Sequence, residues 1–272
     1  MTKLTAVELQ REYDNRAKVA DFAAVTQGWA RDAATFRAGH ATAELRVAYG
    51  PGSRQWMDIF WPASGQRGVV ALFFHGGYWQ AMDASSFSHL AAGLLGRGVA
   101  VAMPSYDLCP QVRLAEIVAQ ARAAVVFLHR RGVGQLLAMG HSAGGHLAAC
   151  LLASDWAALG LPGNRIAGAL AISGLFDLAP LIQTPINDAL GLDAAEATRL
   201  SPVFWPRPAG PLHAVVGGAE GAEYARQSRE MAAAWGGRWE AVAGENHFSV
   251  IAPLADPQSV LVRRALDLLG GA

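Results

Sequence analysis

A glycine-rich segment near the middle of the chain, Gly140-His141-Ser142-Ala143-Gly144, has the residue types and spacing that nucleophilic chemistry needs. The apolar run "LLAM" before it predicts a buried strand, and "GHLAACLLA" after it predicts a helix. G-x-S-x-G at a strand-to-helix corner is a nucleophile elbow, a tight turn that lifts the serine hydroxyl above the sheet. The N-terminus of the helix then points at the atom where negative charge would develop. Ser142 is therefore the candidate nucleophile, and a chance glycine-rich turn is the alternative.

A serine nucleophile needs a base, and the elbow motif goes with the chain order serine, acid, histidine. Of the eight histidines, His247 in "GENHFSV" is the one that follows the last predicted strand. The others are excluded by position: His40, His75, His89 and His129 precede the serine, His141 and His146 flank it, and His213 lies inside a predicted strand. His247 is therefore the candidate base.

The acid that would orient this histidine has competing candidates. Glu220 comes directly after the predicted strand "LHAVVGG", with Glu223 nearby. Asp177, in "SGLFDLAP", follows the preceding predicted strand. Each of them could also be an ordinary surface carboxylate. We favour Glu220 as the group that holds the imidazole in the correct tautomer.

The segment "LFFHGGYWQ" could supply the hydrogen-bond donors that such a mechanism requires. His75, Gly76 and Gly77 end a predicted buried strand, as the H-G-G-G type of loop does. The backbone N–H groups of Gly76 and Gly77, with that of Ala143, could bind the negatively charged oxygen of a tetrahedral intermediate. His75 itself is expected to brace the loop rather than to react.

The elements that must position these residues alternate between strand and helix. The predicted strands are 43–49, 55–61, 68–74, 98–104, 134–140, 166–173, 212–218 and 238–244, and the predicted helices are 85–97, 112–131, 143–153, 222–235 and 258–269. The first two strands read as an antiparallel pair joined by the turn "GPGSR". The later, continuously apolar runs indicate strands buried on both faces of a parallel sheet. We therefore predict an α/β fold with a doubly wound, mostly parallel sheet, as one domain over residues 1–272.

Residues 1–40 predict a helical segment ahead of this sheet. Asp21 can cap a helix in which Phe22, Val25, Trp29 and Phe36 follow the 3.6-residue period of a helix. Two interpretations stay open, because large aromatic side chains favour both. The segment is either a helix packed on the main domain or a lid over a pocket.

The chain resembles the serine-dependent kynurenine formamidase (arylformamidase) branch of the α/β-hydrolases. The resemblance runs from "YDNRA" near the start to "ENHFS" near the end, through "HGGYWQ", "YDLCP", "GHSAGGHLAA", "SGLFDLAPL", "RLSP" and "RQS". It implies that Ser142 is the nucleophile, His247 the base, and Gly76 and Gly77 the oxyanion loop. The family's acid is usually Asp in a D-S-P-E-F-like segment. Here that segment reads "EGAEY", so Glu220 matches with a longer side chain.

The resemblance implies a hydrolase that releases formate from aryl formamides such as N-formylkynurenine through an acyl-enzyme. Aromatic residues that follow strand ends would form an apolar slot for the aryl group. These are Tyr78, Trp79, Tyr106, Phe176 and Phe248. A general carboxylesterase for small aryl or alkyl esters is the alternative function, and an inactive hydrolase-fold binding protein is a second alternative.

Composition argues against several other classes of protein. The 272 residues carry 22 basic and 22 acidic side chains, so nothing favours nucleic acid or an anionic membrane as partner. The sequence has no apolar run of about 18 residues that would span a membrane, and its charged N-terminus is unlike a signal peptide. Two cysteines, Cys109 and Cys150, fit a reducing cytoplasm. We expect a small-molecule substrate, no metal and no cofactor, and we leave open whether the chain forms a homodimer.

Overall fold

The computed structural model describes residues 4–63 and 68–270, and within these ranges eight strands form one sheet. The strands are β1 (Ala43–Ala48), β2 (Trp56–Phe60), β3 (Val69–Phe74), β4 (Ala100–Pro104), β5 (Gln135–His141), β6 (Ile166–Ile172), β7 (Leu212–Gly217) and β8 (Arg238–Val242). Their order across the sheet is β1-β2-β4-β3-β5-β6-β7-β8. Each strand lies inside its predicted range, apart from His141 at the end of β5.

The strand pairings confirm the predicted fold class. Strand β2 pairs antiparallel with both β1 and β4. The pairings from β4 through β3, β5, β6 and β7 to β8 are all parallel. Because parallel strands end at the same edge of a sheet, the loops after β3, β5, β7 and β8 come together there. This is the α/β-hydrolase fold that the resemblance implies.

The helices of the described residues lie before and between these strands. They are α1 (Ala6–Tyr13), α2 (Phe22–Gly39), α3 (Ala92–Leu95), α4 (Leu114–Arg130), α5 (Ala143–Leu152), α6 (Asn187–Leu190), α7 (Ala194–Arg199), α8 (Ala222–Trp235) and α9 (Val260–Asp267). The Asp21 carboxylate caps α2 as predicted, accepting the N–H of Ala24 at 2.8 Å. No helix in the described part of the chain combines the length and apolar character that crossing a membrane requires.

One predicted helix is wrong. Residues 85–97 form two short 3-10 helices, Ala84–Ser86 and Ser88–Ala91, followed by the single turn α3. The Asp83 side chain offers the backbone at the start of this segment a competing hydrogen bond, which disfavours a continuous helix. Asp83 accepts both the backbone N–H and the hydroxyl of Ser85, at 2.9 and 2.5 Å.

The two faces of the sheet pack into separate apolar cores. Val70 and Leu72 of β3 belong to one core together with Leu147 of α5. Ala71 and Phe73 of the same strand belong to the other. Successive side chains of a strand point to opposite faces, so a strand covered on both sides is apolar at every position.

The start of α5 lies unusually close to β3 and β6. A Cβ on Gly144 would collide with the carbonyl oxygen of Phe74 at the end of β3. A Cβ on Gly145 would lie 2.9 Å from the Cα of Gly174, just past β6. A Cβ on Gly140 would collide with the backbone of Gly144. The first turn of α5 can therefore sit between these strands only because the residues there lack side chains.

We predict that Gly144→Ala destabilises the protein by about 1–3 kcal/mol, since the added methyl group has no space. Gly39→Ala is the matched control, because a Cβ at this exposed last residue of α2 meets nothing within 4 Å. The control should be neutral or stabilising by up to about 1 kcal/mol. Urea denaturation measures both, and equal stability of the two variants would contradict the close packing.

Candidate active site

Ser142 lies at the corner between β5 and α5 in a backbone conformation that L side chains rarely adopt, with φ 57° and ψ −118°. Its N–H donates to the carbonyl oxygen of Ile172, at the end of β6, at 2.8 Å. The residue is 2% exposed and lines a cavity. The corner thus has the strained turn that the elbow motif requires, held by the neighbouring strand.

His247 and Glu220 meet at this edge of the sheet, with 2.6 Å between Nδ1 and Oε2. The glutamate side chain has no exposed area. Its Oε1 accepts hydrogen bonds from the Ser173 hydroxyl at 2.5 Å and from the Gly217 N–H at 2.6 Å. These partners satisfy a carboxylate that would otherwise be costly to bury. When Nδ1 donates to Glu220, Nε2 is the ring nitrogen free to accept a proton.

The turns after β7 and β8 pack on each other, and this contact brings Glu220 to His247. The N–H of Gly218 donates to the carbonyl oxygen of Val242 at 2.7 Å. The side-chain oxygen of Asn246 accepts the N–H groups of the two residues after His247, at 2.9 and 3.0 Å. His247 therefore lies on a short loop whose backbone is held by the side chain of the preceding residue, Asn246.

The other two candidate acids face a different partner. Asp177 lies 3.6 Å from the guanidinium of Arg226, and Glu223 lies 2.7 Å from the same group. Arg226 holds the pKa of Glu223 below its usual value through a hydrogen bond and its charge, against the opposing effect of burial. Among the three candidates, Glu220 is the one that contacts His247.

Two further rings hold the candidate base in place. His141 Nε2 donates to the backbone carbonyl of His247 at 2.8 Å, and the two rings are 4.7 Å apart. Burial, and then the neighbouring His247, hold the pKa of His141 well below its ordinary value, so its ring is neutral. The ring of Tyr224 lies 4.8 Å from that of His247 on another side. Sequence order dismissed His141 as a base and did not indicate this supporting contact.

The loop after β3 lies against the elbow. A Cβ on Gly76 would be only 3.1 Å from the Cβ of Ser142, and Gly77 has a φ of 110° that favours glycine. Within residues 4–63 and 68–270, no group accepts a hydrogen bond from the backbone N–H of Gly76, Gly77 or Ala143. Free N–H groups beside a serine hydroxyl could bind a developing oxyanion.

His75 and Tyr106 brace this loop. Their rings stack with centroids 4.3 Å apart and planes within 4°, and the Tyr106 hydroxyl donates to the His75 carbonyl oxygen at 2.9 Å. Burial lowers the pKa of His75 to about 4, so its ring is neutral at pH 7. The loop geometry therefore depends on aromatic packing beneath it.

A cavity of about 420 Å³ opens above Ser142 and His247. Of the five predicted slot residues, Tyr78 and Phe248 line it. Trp79, Tyr106 and Phe176 are completely buried in the core and do not line it, so the prediction for these three is wrong. A side chain just past a strand end can point into the core as readily as into the cavity. Position along the chain alone does not distinguish the two.

Other aromatic side chains line the cavity instead. Phe22 of α2 packs on Phe248 with ring centroids 5.1 Å apart, and Trp29 of the same helix packs on Phe87 at 5.2 Å. The helical spacing of Phe22 and Trp29 was visible in the sequence, whereas Phe87 lies in the segment wrongly predicted as one helix. No cluster of three or more His, Cys, Asp or Glu side chains among the described residues could hold a metal ion.

The chain is similar to a family model, to a curated enzyme and to a solved structure. The BD-FAE family model matches residues 57–158. The kynurenine formamidase of Danio rerio is 30% identical over 251 residues, covering 87% of this chain and 85% of its own length. A solved structure from Silicibacter sp. TM1040, provisionally described as a thioesterase, is 41% identical, has a TM-score of 0.88, and covers 94% of this chain and 98% of that one.

A more distant structure shares the fold alone. An inhibited esterase B from Lactobacillus rhamnosis is 19% identical, with a TM-score of 0.67, and covers 93% of this chain and 95% of its own. The near full-length match to a curated formamidase is more specific than this likeness. The chain belongs to the kynurenine formamidase family of α/β-hydrolases.

Proposed function

We propose that the protein hydrolyses aryl formamides, of which N-formylkynurenine is the natural example, with Ser142 as nucleophile, His247 as base and Glu220 as the acid that orients it. The 2.6 Å contact between His247 and a fully buried Glu220, in a cavity that Ser142 also lines, carries this proposal. A serine, a buried carboxylate and a histidine in this chain order are typical of acyl transfer.

The first half of the reaction forms a formyl-enzyme. Ser142 Oγ attacks the formyl carbon while His247 Nε2 takes the hydroxyl proton. The carbonyl oxygen becomes an alkoxide, which the N–H groups of Gly76, Gly77 and Ala143 stabilise. The C–N bond then breaks, and His247 returns the proton to the nitrogen of the departing arylamine. Glu220 stabilises the imidazolium that exists between these two transfers.

The second half releases formate. A water molecule attacks the formyl ester while His247 accepts one of its protons. The alkoxide collapses, the C–O bond to Ser142 breaks, and the proton on His247 restores the serine hydroxyl. The product departs as formic acid, which gives its proton to the solvent and becomes formate. The same two groups therefore act in both halves, with no cofactor needed for the balance of atoms and charge.

The cavity suits a flat leaving group. Its aromatic wall includes Phe22, Trp29, Phe87 and Phe248, and ring–ring contacts add about 0.5–1.5 kcal/mol each beyond burial. A formyl group needs little room on the other side of Ser142, where the Gly76 backbone lies close. We propose that α2 forms a wall of this site within the same domain, which gives the predicted lid segment a role in substrate binding.

We predict that kcat/KM is highest for N-formylkynurenine and falls as the acyl group lengthens from formyl to acetyl to butyryl. The panel pairs each aryl amide with the matching aryl ester, measured by release of arylamine or phenol. An acyl thioester belongs in the panel because of the provisional description of the Silicibacter relative. Activity that peaks on butyryl or longer esters, with formamides untouched, would overturn the formamidase proposal in favour of a carboxylesterase. No turnover of any substrate would indicate a binding protein.

A second prediction concerns the acid. Glu220→Gln should lower kcat by about 10³–10⁴-fold, because an amide would hold the imidazole in the wrong tautomer. Asp177→Asn is the control: it removes a charge that faces Arg226, and kcat should stay within about twofold, as for other substitutions away from the chemistry. Unfolding curves confirm that both variants fold. A large loss for Asp177→Asn, with little for Glu220→Gln, would transfer the role to Asp177.

A further inference from the structure

The segment "YDNRA", Tyr13 to Ala17, brings two charged side chains to the cavity wall. Of the described residues that line the cavity, Asp14 and Arg16 are the two that carry a charge at pH 7 apart from the histidines. Both are exposed, and neither forms an ion pair with a described residue. Two opposite charges therefore lie two residues apart without an ion-pair partner among the described residues, although Asp14 Oδ1 accepts the N–H of Ala17 at 3.2 Å.

The residue between them is fixed to the catalytic neighbourhood. Asn15 is 4% exposed, and its amide nitrogen donates to the Tyr224 hydroxyl at 2.7 Å. Tyr224 packs on His247, and its hydroxyl lies 2.5 Å from that of Tyr78, which follows Gly77 in the chain. A single asparagine thus ties the charged segment both to the base and to the oxyanion loop.

Arg16 is held from the other side. Its guanidinium lies 4.9 Å from the ring centroid of Phe22, which packs on Phe248 directly after His247. A cation over an aromatic ring is attracted to it and keeps its outer N–H groups free to donate. Two independent routes of contact, through Asn15 and through Phe22, therefore place the segment beside the leaving-group side of the cavity.

A polar atom in this segment still lacks a partner. The side-chain oxygen of Asn15 is buried and accepts no hydrogen bond from any described residue. An unsatisfied buried acceptor is uncommon and calls for a donor from outside the chain. A cationic N–H group bound beside Asp14 and Asn15 would supply one.

We propose that Asp14, Asn15 and Arg16 form a subsite for the zwitterionic α-amino-acid end of the leaving group. The substrate ammonium would bind to the Asp14 carboxylate and the Asn15 oxygen, and its carboxylate would take paired hydrogen bonds from Arg16. This inference rests on the proposed function and adds to it the residues that bind the charged end of the leaving group.

Three matched formamides test the subsite. N-formylkynurenine carries both charges, N′-formylkynuramine lacks the carboxylate, and 2-formamidoacetophenone lacks both. The selectivity of the wild type for the first over the third, as a ratio of kcat/KM, is the reference. In Arg16→Gln that ratio should fall about tenfold or more, mainly through KM, since a charge-assisted hydrogen bond is lost. Asp14→Asn should reduce the preference for N′-formylkynuramine over the uncharged compound.

Arg11→Gln is the control, because this arginine is exposed on α1 and does not line the cavity. It should keep the wild-type ratio. If the wild type hydrolyses all three formamides equally well, or if Arg16→Gln keeps the ratio, the subsite is overturned while the formamidase proposal stands.

If no formamide is hydrolysed, binding of the product distinguishes failure of the subsite from failure of the proposed function. L-kynurenine, titrated calorimetrically, should bind the wild type and bind Arg16→Gln about tenfold more weakly. If no formamide is hydrolysed but kynurenine shows this difference, the proposed function fails and the subsite stands. If kynurenine does not bind, or binds both proteins equally, the subsite is overturned whatever the enzyme hydrolyses.

Discussion

The site depends on one buried carboxylate. Glu220 has no exposed side-chain area, yet its oxygens contact the Ser173 hydroxyl, the Gly217 N–H and the imidazole of His247. These three groups come from the ends of β6 and β7 and from the loop after β8. A buried charge is tolerated only where such partners converge, so the sheet must keep these strand ends aligned for the histidine to be oriented. The longer arm of glutamate is accommodated because it folds back onto its own turn.

Backbone strain gathers around the same edge of the sheet. Ser142, Ser173, Tyr78 and Trp79 all have φ between 50° and 57°, a region that costs side-chain-bearing residues about 1–3 kcal/mol each. Close packing of the surrounding residues offsets this conformational cost. Trp79 is fully buried, and the elbow is held by glycines that leave no space between α5 and the strands. The strain is thus distributed over the turns after β3, β5 and β6, which include the candidate nucleophile.

Those parts of the fold and the site could be predicted from the sequence whose patterns have one physical interpretation. Alternating and continuously apolar segments located most of the strands, and the elbow with its strand and helix located Ser142. Chain order singled out His247. It did not decide between Glu220 and Asp177, because both follow strand ends, and only the packing of the turns after β7 and β8 brings one of them to the histidine.

The cavity lining was harder to predict for the same kind of reason. Trp79, Tyr106 and Phe176 follow strand ends as Tyr78 and Phe248 do, but their side chains turn into the core. Which way a loop residue points depends on tertiary contacts that no local pattern records. The wall contributed by α2 is a long-range contact of this kind, since it joins the N-terminal segment to loops more than 200 residues later in the chain.

The most direct measurement of the central claim is covalent labelling with a fluorophosphonate, followed by intact-mass and peptide mass spectrometry. A serine activated by His247 and Glu220 should take up one phosphonyl group per chain, on Ser142, and N-formylkynurenine should slow the labelling by occupying the same cavity. No adduct on the folded protein, or an adduct on a different residue, would contradict the assignment of the nucleophile. Labelling at Ser142 that N-formylkynurenine leaves unchanged would contradict the assignment of the substrate to this cavity.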